Sequence, residues 1–387
     1  MNSSQQFQPG PIVLFGSGET SPSGRKIFEW VFRRLPHSPQ VALLETPAGF
    51  ELNSAQVIAR VGDFLRHHLQ NYDPQVFVVP ARRRGTPFSP DNAAILDPLW
   101  PAELIFMGPG SPTYAARQLR DSLAWNMILT RHRLGAALVM ASAATIAMSA
   151  YALPVYEIYK VGEDLHWKNG LDFFAAFGLP LIFIPHWNNK DGGEELDTSR
   201  CFMGQVRFSQ LMQLLPQDST IVGIDENTAL ILDIQTGRGE IVGQGGVTLI
   251  HTGHQHQDRS SPGQEETGLE QLAAQRSGHI HQFQNGEVFP LSECCPFEMP
   301  DPQAGIPREV WQMGLAALQT RDDLGSDRQL TQAPAQVKAL LQERQDARAR
   351  EDYAAADALR QRIVELGWQV IDTPDGPQLR HAHEGSV

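Results

Sequence analysis

Cysteine is scarce in this chain, with three among 387 residues: Cys201, Cys294 and Cys295. Three thiols, two of them adjacent, cannot build a disulfide framework, so reduced cysteines in a cytosol are expected. No apolar run reaches the roughly 18 residues needed to span a bilayer. Residues 1–10, MNSSQQFQPG, lack the basic and apolar regions of a signal peptide, so a cytoplasmic location with no membrane partner is expected. Positive charge is short as well, with 31 Lys and Arg against 44 Asp and Glu and a formal net charge of −13. That balance argues against a surface built for nucleic acid or anionic lipid, because neutralising phosphates needs clustered Lys and Arg.

What the chain does have is apolar content, 41% of its residues, arranged in short runs. PIVLFGSG (11–18), QVALLETPA (40–48), PQVFVVPA (74–81), ELIFMGPG (103–110) and GAALVMAS (135–142) read as strands. They lack polar alternation, which predicts strands buried on both faces of a mainly parallel sheet. Amphipathic stretches such as GRKIFEWVFRRL and SAQVIARVGDFLRHHL lie between them. This rhythm predicts a doubly wound α/β domain, whose ligands bind at the carboxyl ends of its strands. From residue 153 the strands crowd closer: PVYEIYKVG, LPLIFIPHW, STIVGIDENTALILDI and GEIVGQGGVTLI. FQNGEVFPL reads as a hairpin with NG as its turn. A polar, Pro-rich stretch over roughly 297–333 reads as a linker, which makes 1–296 the first domain. Residues 334–387 form a small helical appendix, in which Val337, Leu340, Leu341, Ala355, Leu359, Ile363 and Leu366 recur at helical spacing. Gly367 stops the second helix, and WQVIDTPDGPQL is a short extended tail.

The stretch ALVMASAATIAMSA (137–150) carries the functional question. A buried strand turning into a helix with Ser142 at the turn is the layout of a nucleophile elbow. The same layout arises at any strand-to-helix junction capped by serine. A serine hydrolase needs a base, a group orienting the base, and donors for the oxyanion. His186 follows the apolar strand LIFIP and so stands at the sheet's functional edge. The stretch VYEIYKVGED, between Ser142 and His186, offers the acids Glu157, Glu163 and Asp164. Glu157 lies within an otherwise apolar run, where an acid needs a partner, whereas Glu163 and Asp164 read as a solvated turn. The glycine turns GSGE, with Gly18, and GPGS, with Gly110 and Ser111, offer backbone N–H groups to an oxyanion or a substrate carboxylate.

The order LFGSGE, IFMGPGSPTYAARQL, the serine turn, PHW, GIDENTALIL and GGVTLI resembles the cyanophycinase and aspartyl-dipeptidase family of serine peptidases, over roughly residues 11–292. The resemblance implies a class I glutamine amidotransferase-like fold with serine in place of the amidotransferase cysteine. It places Ser142 as nucleophile and His186 as base, and its acid spacing favours Glu157, with Glu163 second. On the same resemblance Glu226, in GIDENTAL, shapes the substrate site or strand pairing. Backbone N–H groups near Gly110 and Ala143 receive the oxyanion, no metal or organic cofactor is needed, and the substrate is a small peptide or amide, by family preference a β-aspartyl linkage. The family's two elbow glycines are Met140 and Ala144 here, and the methionine is expected to narrow the site.

Other features have a functional and a plain reading. His251, His254 and His256, in HTGHQHQ, suggest a metal, but a solvated polar loop is the simpler reading. Arg200, in WNNKDGGEELDTSRCF, reads as a carboxylate clamp or as part of a helix start capped by Asp197 or Thr198. Cys201 sits where a helix start stabilises a thiolate, or is an ordinary buried cysteine. The appendix QERQDARAREDYAAADALRQRIVELGWQVIDTPDGPQLR is similar to the C-terminal segment of cysteinyl-tRNA synthetases, which implies a tRNA-contacting element. Residues 331–387 carry seven Lys or Arg against nine Asp or Glu, so RNA contact requires the basic residues on one face. Docking of a protein partner, or homodimerisation, is the alternative role.

Overall fold

The computed structural model describes residues 8–252, 280–294, 296–319, 334–350, 352–373 and 376–381. They fall into two compact units, residues 1–314 and 315–387.

In the first unit the apolar runs become β1 (Ile12–Phe15), β2 (Gln40–Leu44), β3 (Gln75–Val79), β4 (Leu104–Met107) and β5 (Ala137–Ala141). They lie in the spatial order β1-β5-β4-β2-β3, all parallel. Between them run α1 (Pro22–Phe32), α2 (Ser54–His68), α3 (Ala93–Leu96), α4 (Pro112–Leu119) and α5 (Leu123–Arg133). Strand side chains alternate between two cores. Val13 and Phe15 face Ile27, Phe28 and Val31 of α1 and Ile58, Val61 and Leu65 of α2. Ile12 and Leu14 face the other way, into the core that holds Leu96, Leu119 and Ile128 from α3, α4 and α5. Each such Leu, Ile or Phe removed from water stabilises the fold by about 1.5–3 kcal/mol. This is the doubly wound α/β arrangement. One strand departs from the expected two-sided burial: β3 ends the sheet, and Phe77 and Val78 are exposed there.

On the far side of β1 the sheet continues antiparallel through three later strands. A short pair, β6 (Tyr151–Ala152) and β7 (Lys168–Asn169), follows the elbow helix α6 (Ala143–Ala147). Then come β8 (Leu181–Ile184), α7 (Gly204–Gln213), β9 (Thr220–Ile224), β10 (Thr228–Asp233), β11 (Arg238–Gly243), β12 (Val247–His251), β13 (Ile280–Phe283) and β14 (Val288–Pro290). β10, β11 and β14 complete an eight-stranded sheet, while β13-β12-β9-β8 form a second, four-stranded one. GIDENTAL therefore spans two sheets, with β9 in the small one and β10 beside β1 in the large one.

Three expectations are corrected. PVYEIYKVG is not a strand, because residues Glu157–Val161 wind into a single π-helical turn closed by Gly162. FQNGEVFPL is not a hairpin either. Its NG turn survives, but β13 pairs with β12 and β14 pairs with β11, so this turn too crosses between sheets. Residues 297–314 are not linker. Ile306 and Val310, the latter in a helix that begins at 308, are buried in the main core.

In the second unit the helices Ala335–Ala349 and Tyr353–Glu365 pack together through Val337, Leu340, Leu341 and Ile363, with Leu359 at the margin. Asp352 caps the second helix by accepting the Ala355 N–H. The expected extended tail is a two-stranded hairpin, Trp368–Thr373 paired with Gly376–His381, and Trp368, Val370 and Leu379 close the small core. Leu366 is left outside it, 42% exposed.

Candidate active site

Ser142 stands between β5 and α6 with φ 52° and ψ −110°. This backbone state is strained for a residue with a Cβ. Although Ser142 occupies the N-cap position, its side chain caps nothing. The turn is fastened instead by Thr145, whose buried hydroxyl donates to the carbonyls of Met140 and Phe15 and so ties α6 to β5 and β1. Met140 points into the main core and Ala144 is fully buried. The expected narrowing of the site by Met140 is thus corrected: its side chain goes to the main core and does not line the Ser142 cavity.

The Ser142 hydroxyl lies 3.0 Å from His186 Nε2, and His186 Nδ1 lies 2.8 Å from Glu226 Oε1. A carboxylate only accepts, so Nδ1 carries the proton and Nε2 is left to accept from Ser142. The side-chain amide of Asn189 donates to the same Glu226 oxygen at 2.9 Å. The His186 hydrogen bond, against the opposing cost of burial, and the Asn189 bond hold the Glu226 carboxyl below its ordinary range. The backbone builds this contact. β8 and β9 are parallel neighbours with Ile184 opposite Gly223, so the residues just beyond their carboxyl ends, His186 and Glu226, come out side by side. The Glu226 N–H donates to Asn188 Oδ1, and the His186 N–H donates to the Gly16 carbonyl. Gly16 also lets β1 end close against the residues that follow β9, since a Cβ there would lie 2.1 Å from the Asp225 carbonyl oxygen.

A second strained segment holds His186 from behind. Arg200, Cys201 and Phe202 all have positive φ, a full left-handed turn. Within it the Cys201 N–H donates to the His186 carbonyl, the Arg200 N–H donates to the Trp187 carbonyl, and the Phe202 ring packs 5.8 Å from the imidazole. Arg200 stacks on the Trp187 ring at 3.8 Å and donates a guanidinium N–H to the Trp187 carbonyl. Its guanidinium is therefore partly used within the protein, while its buried Nε has no hydrogen-bond partner among the described residues. Asp197 accepts the N–H of Gln205 in the first turn of α7, although that helix starts later than expected, at Gly204. Burial pushes the Cys201 thiol up to about 12, the opposite of an activated thiolate.

The remaining candidates separate by position. Gly110 and Ala143 line a cavity of about 300 Å³ together with Ser142 and His186. Its other walls are Pro112, Ile146, Val155, Tyr156, Tyr159, Lys160, Cys201 and Phe202. Ala143 opens α6, so its N–H has no acceptor within the helix. Gly110 lies where a Cβ would stand 2.0 Å from the Pro47 carbonyl oxygen. Gly18 and Ser111 are used locally: the Gly18 carbonyl accepts the Ser21 N–H, and the Ser111 hydroxyl accepts the Tyr114 N–H at the head of α4. Glu157 is not behind His186. Its carboxylate takes the Thr113 hydroxyl and faces a neighbouring groove. Glu163 is exposed and lies 3.6 Å from His166. The acid at the imidazole is thus Glu226, the residue that sequence reasoning placed in the site but outside the triad. The signal for it was the parallel register of two consecutive strands, each ending in a polar residue.

Nothing in the described residues groups three metal-ligating side chains. His251 contacts Thr220 at the end of β12, while His254, His256 and Cys295 lie outside the described residues. No helix among the described residues is long and apolar enough to cross a membrane.

Comparison with known proteins divides along the two units. Residues 330–380 match the model of the cysteinyl-tRNA ligase anticodon binding domain. The same region is 62% identical over 40 residues to the cysteine–tRNA ligase of Desulfovibrio desulfuricans and 52% identical over 44 residues to that of Solidesulfovibrio magneticus. These matches cover 10% and 11% of this chain and only 8% and 9% of the ligases. The crystal structure of a peptidase from an acI-B1 Actinobacterium superposes on 74% of this chain and 98% of its own, at 21% identity and a TM-score of 0.53. The chain therefore has the fold of that peptidase, joined to a C-terminal segment similar to the anticodon binding domain of cysteinyl-tRNA ligases.

Proposed function

We propose that this protein is a serine hydrolase that cleaves an amide or isopeptide bond with Ser142, His186 and Glu226. The observation that carries this reading is the unbroken chain of hydrogen bonds, 3.0 Å from Ser142 Oγ to His186 Nε2 and 2.8 Å from His186 Nδ1 to Glu226 Oε1. It starts at a serine whose backbone is held in a strained elbow. Ser142 Oγ attacks the substrate carbonyl while His186 Nε2 takes its proton. The imidazolium that forms is stabilised by Glu226, which keeps its own charge and fixes the ring's tautomer. In this reading the backbone N–H groups of Gly110 and Ala143, which line the same cavity, receive the oxyanion. His186 then returns the proton to the leaving amine, and the acyl-serine is hydrolysed by water activated through the same imidazole. Ser142→Ala tests this directly: the folded variant should lose hydrolysis of a peptide substrate that the natural chain cleaves, and equal rates would remove the reading.

A second activity is favoured by one separate observation, the match of residues 330–380 to an anticodon binding domain. In this reading the C-terminal unit engages tRNA, and hydrolysis serves a substrate delivered in that context. Truncation after residue 330 should abolish tRNA retention in a filter-binding assay. Unchanged retention by the shortened chain would assign the segment to another partner.

A further inference from the structure

Next to the Ser142 cavity lies a larger groove of about 1190 Å³, and Tyr156 and Lys160 line both. Six cations face the groove: Arg83, Arg84, Arg117, Arg120, Lys160 and Lys168. Three acids, Asp121, Glu157 and Glu163, share it. This is a local positive excess on a chain whose net charge is −13. Two of the cations are spent on the protein itself. Arg84 pairs with Asp91 and donates to the Arg120 carbonyl, and Arg120 donates to the carbonyls of Asn169 and Gly170. Among the described residues, Arg83, Arg117, Lys160 and Lys168 form no ion pair; Arg117 lies over the Tyr114 ring and Lys160 over that of Tyr156. The Ser142 cavity has the opposite character, walled by Ile146, Val155, Tyr159 and Phe202.

Building on the hydrolase reading, we infer that the groove is a subsite for an acidic peptide segment, so that the substrate is a peptide with an apolar residue in the Ser142 cavity and several carboxylates alongside it. Cations spaced along a wet groove recognise such a segment through exposed ion pairs that add up and fade with salt. The acids interleaved among them repel a continuous phosphate backbone, while leaving separate positive positions for side-chain carboxylates. Glu157, whose carboxylate is anchored by Thr113, is one of these interleaved acids.

The test is fluorescence anisotropy on the full-length Ser142→Ala chain, which binds without turnover. The probes are a fluorescein-labelled peptide with four glutamates on each side of one phenylalanine, and its counterpart with glutamine at every glutamate. The acidic peptide should bind about tenfold more tightly at low salt, the combined effect of several exposed ion pairs, and the difference should shrink at high salt. Replacing Arg83→Gln, Arg117→Gln and Lys168→Gln together should erase the preference, while in the otherwise natural chain it should leave the rate at which a small fluorophosphonate labels Ser142 unchanged. Equal binding of the two peptides, or a preference that survives the triple substitution, would overturn the inference. So would displacement of the acidic peptide by a lower concentration of a single-stranded RNA 12-mer, which would assign the groove to nucleic acid. Because binding is read apart from turnover, a preference without cleavage by the natural chain would defeat the hydrolase reading alone.

Discussion

The two units of this chain carry opposite kinds of information. The C-terminal unit has high local identity to known proteins, 62% over 40 residues, and its described residues form a small core of two helices and a hairpin. The N-terminal unit shares 21% identity with its structural neighbour, yet it assembles Ser142, His186 and Glu226 from three separate strand ends. Identity measures how much of a sequence has been kept. A site of this kind depends on a few backbone positions, which a fold can keep while most side chains change.

The largest expected effect separates the units most sharply. Ser142→Ala should reduce amide hydrolysis by roughly 10⁴-fold or more and leave the thermal midpoint nearly unchanged, measured by steady-state rates and calorimetry. A similar loss on removing residues 331–387 would instead make the C-terminal unit part of the catalyst. Next come the two glutamates. Glu226→Gln leaves the shape of the site but removes the charge facing the imidazolium, so kcat should fall by about 10²–10⁴-fold. Glu157→Gln should change the rate of a short neutral substrate by no more than about threefold, within the usual range for a residue outside the reacting groups. The reverse order would restore Glu157 as the orienting acid.

A smaller effect concerns stability. His132 is fully buried, donates its Nε2–H to the Gly10 carbonyl at 2.9 Å, and is pushed by burial down to about 3. Its folded pKa is below its unfolded one, so the folded state prefers the neutral ring. The stabilisation is complete above about 6.5 and is lost as pH falls toward about 3, at up to about 1.4 kcal/mol per pH unit. Urea denaturation across this range should show the slope, and His132→Gln should flatten it. The smallest effect, close to zero, is expected for hydrolysis of a short peptide by the chain ending at residue 330, measured beside the full chain.

Much of the first unit was legible because its strands are unbroken apolar runs ended by glycine or proline, a pattern that only a two-sided core explains. Ser142 and His186 were legible for the same reason, each standing just past such a run. Glu226 was misread because the linear distance from Ser142 was weighed above the register of strands. Parallel neighbours bring their carboxyl ends together however far apart they lie in sequence, and Ile184 opposite Gly223 sets Glu226 beside His186. PVYEIYKVG misled because its Val, Ile and Tyr residues suit a strand, whereas a π-turn places the Glu157 carboxylate against the Thr113 hydroxyl at the head of α4. The NG hairpin failed for a tertiary reason: the turn formed, but each arm found a better partner in a different sheet. The left-handed turn at Arg200–Phe202 had no signal at all, since none of these residues favours positive φ, and only the bonds to His186 and Trp187 explain it.

The most direct measurement is covalent labelling of the full chain with a small fluorophosphonate, read by intact and peptide mass spectrometry. A single adduct on the peptide containing Ser142, absent from Ser142→Ala and formed at least about 100-fold more slowly in Glu226→Gln, is the result expected of a nucleophile activated through His186. No adduct, or one that forms at the same rate in both variants, would contradict it and leave Ser142 as the hydroxyl of a strained but inert turn.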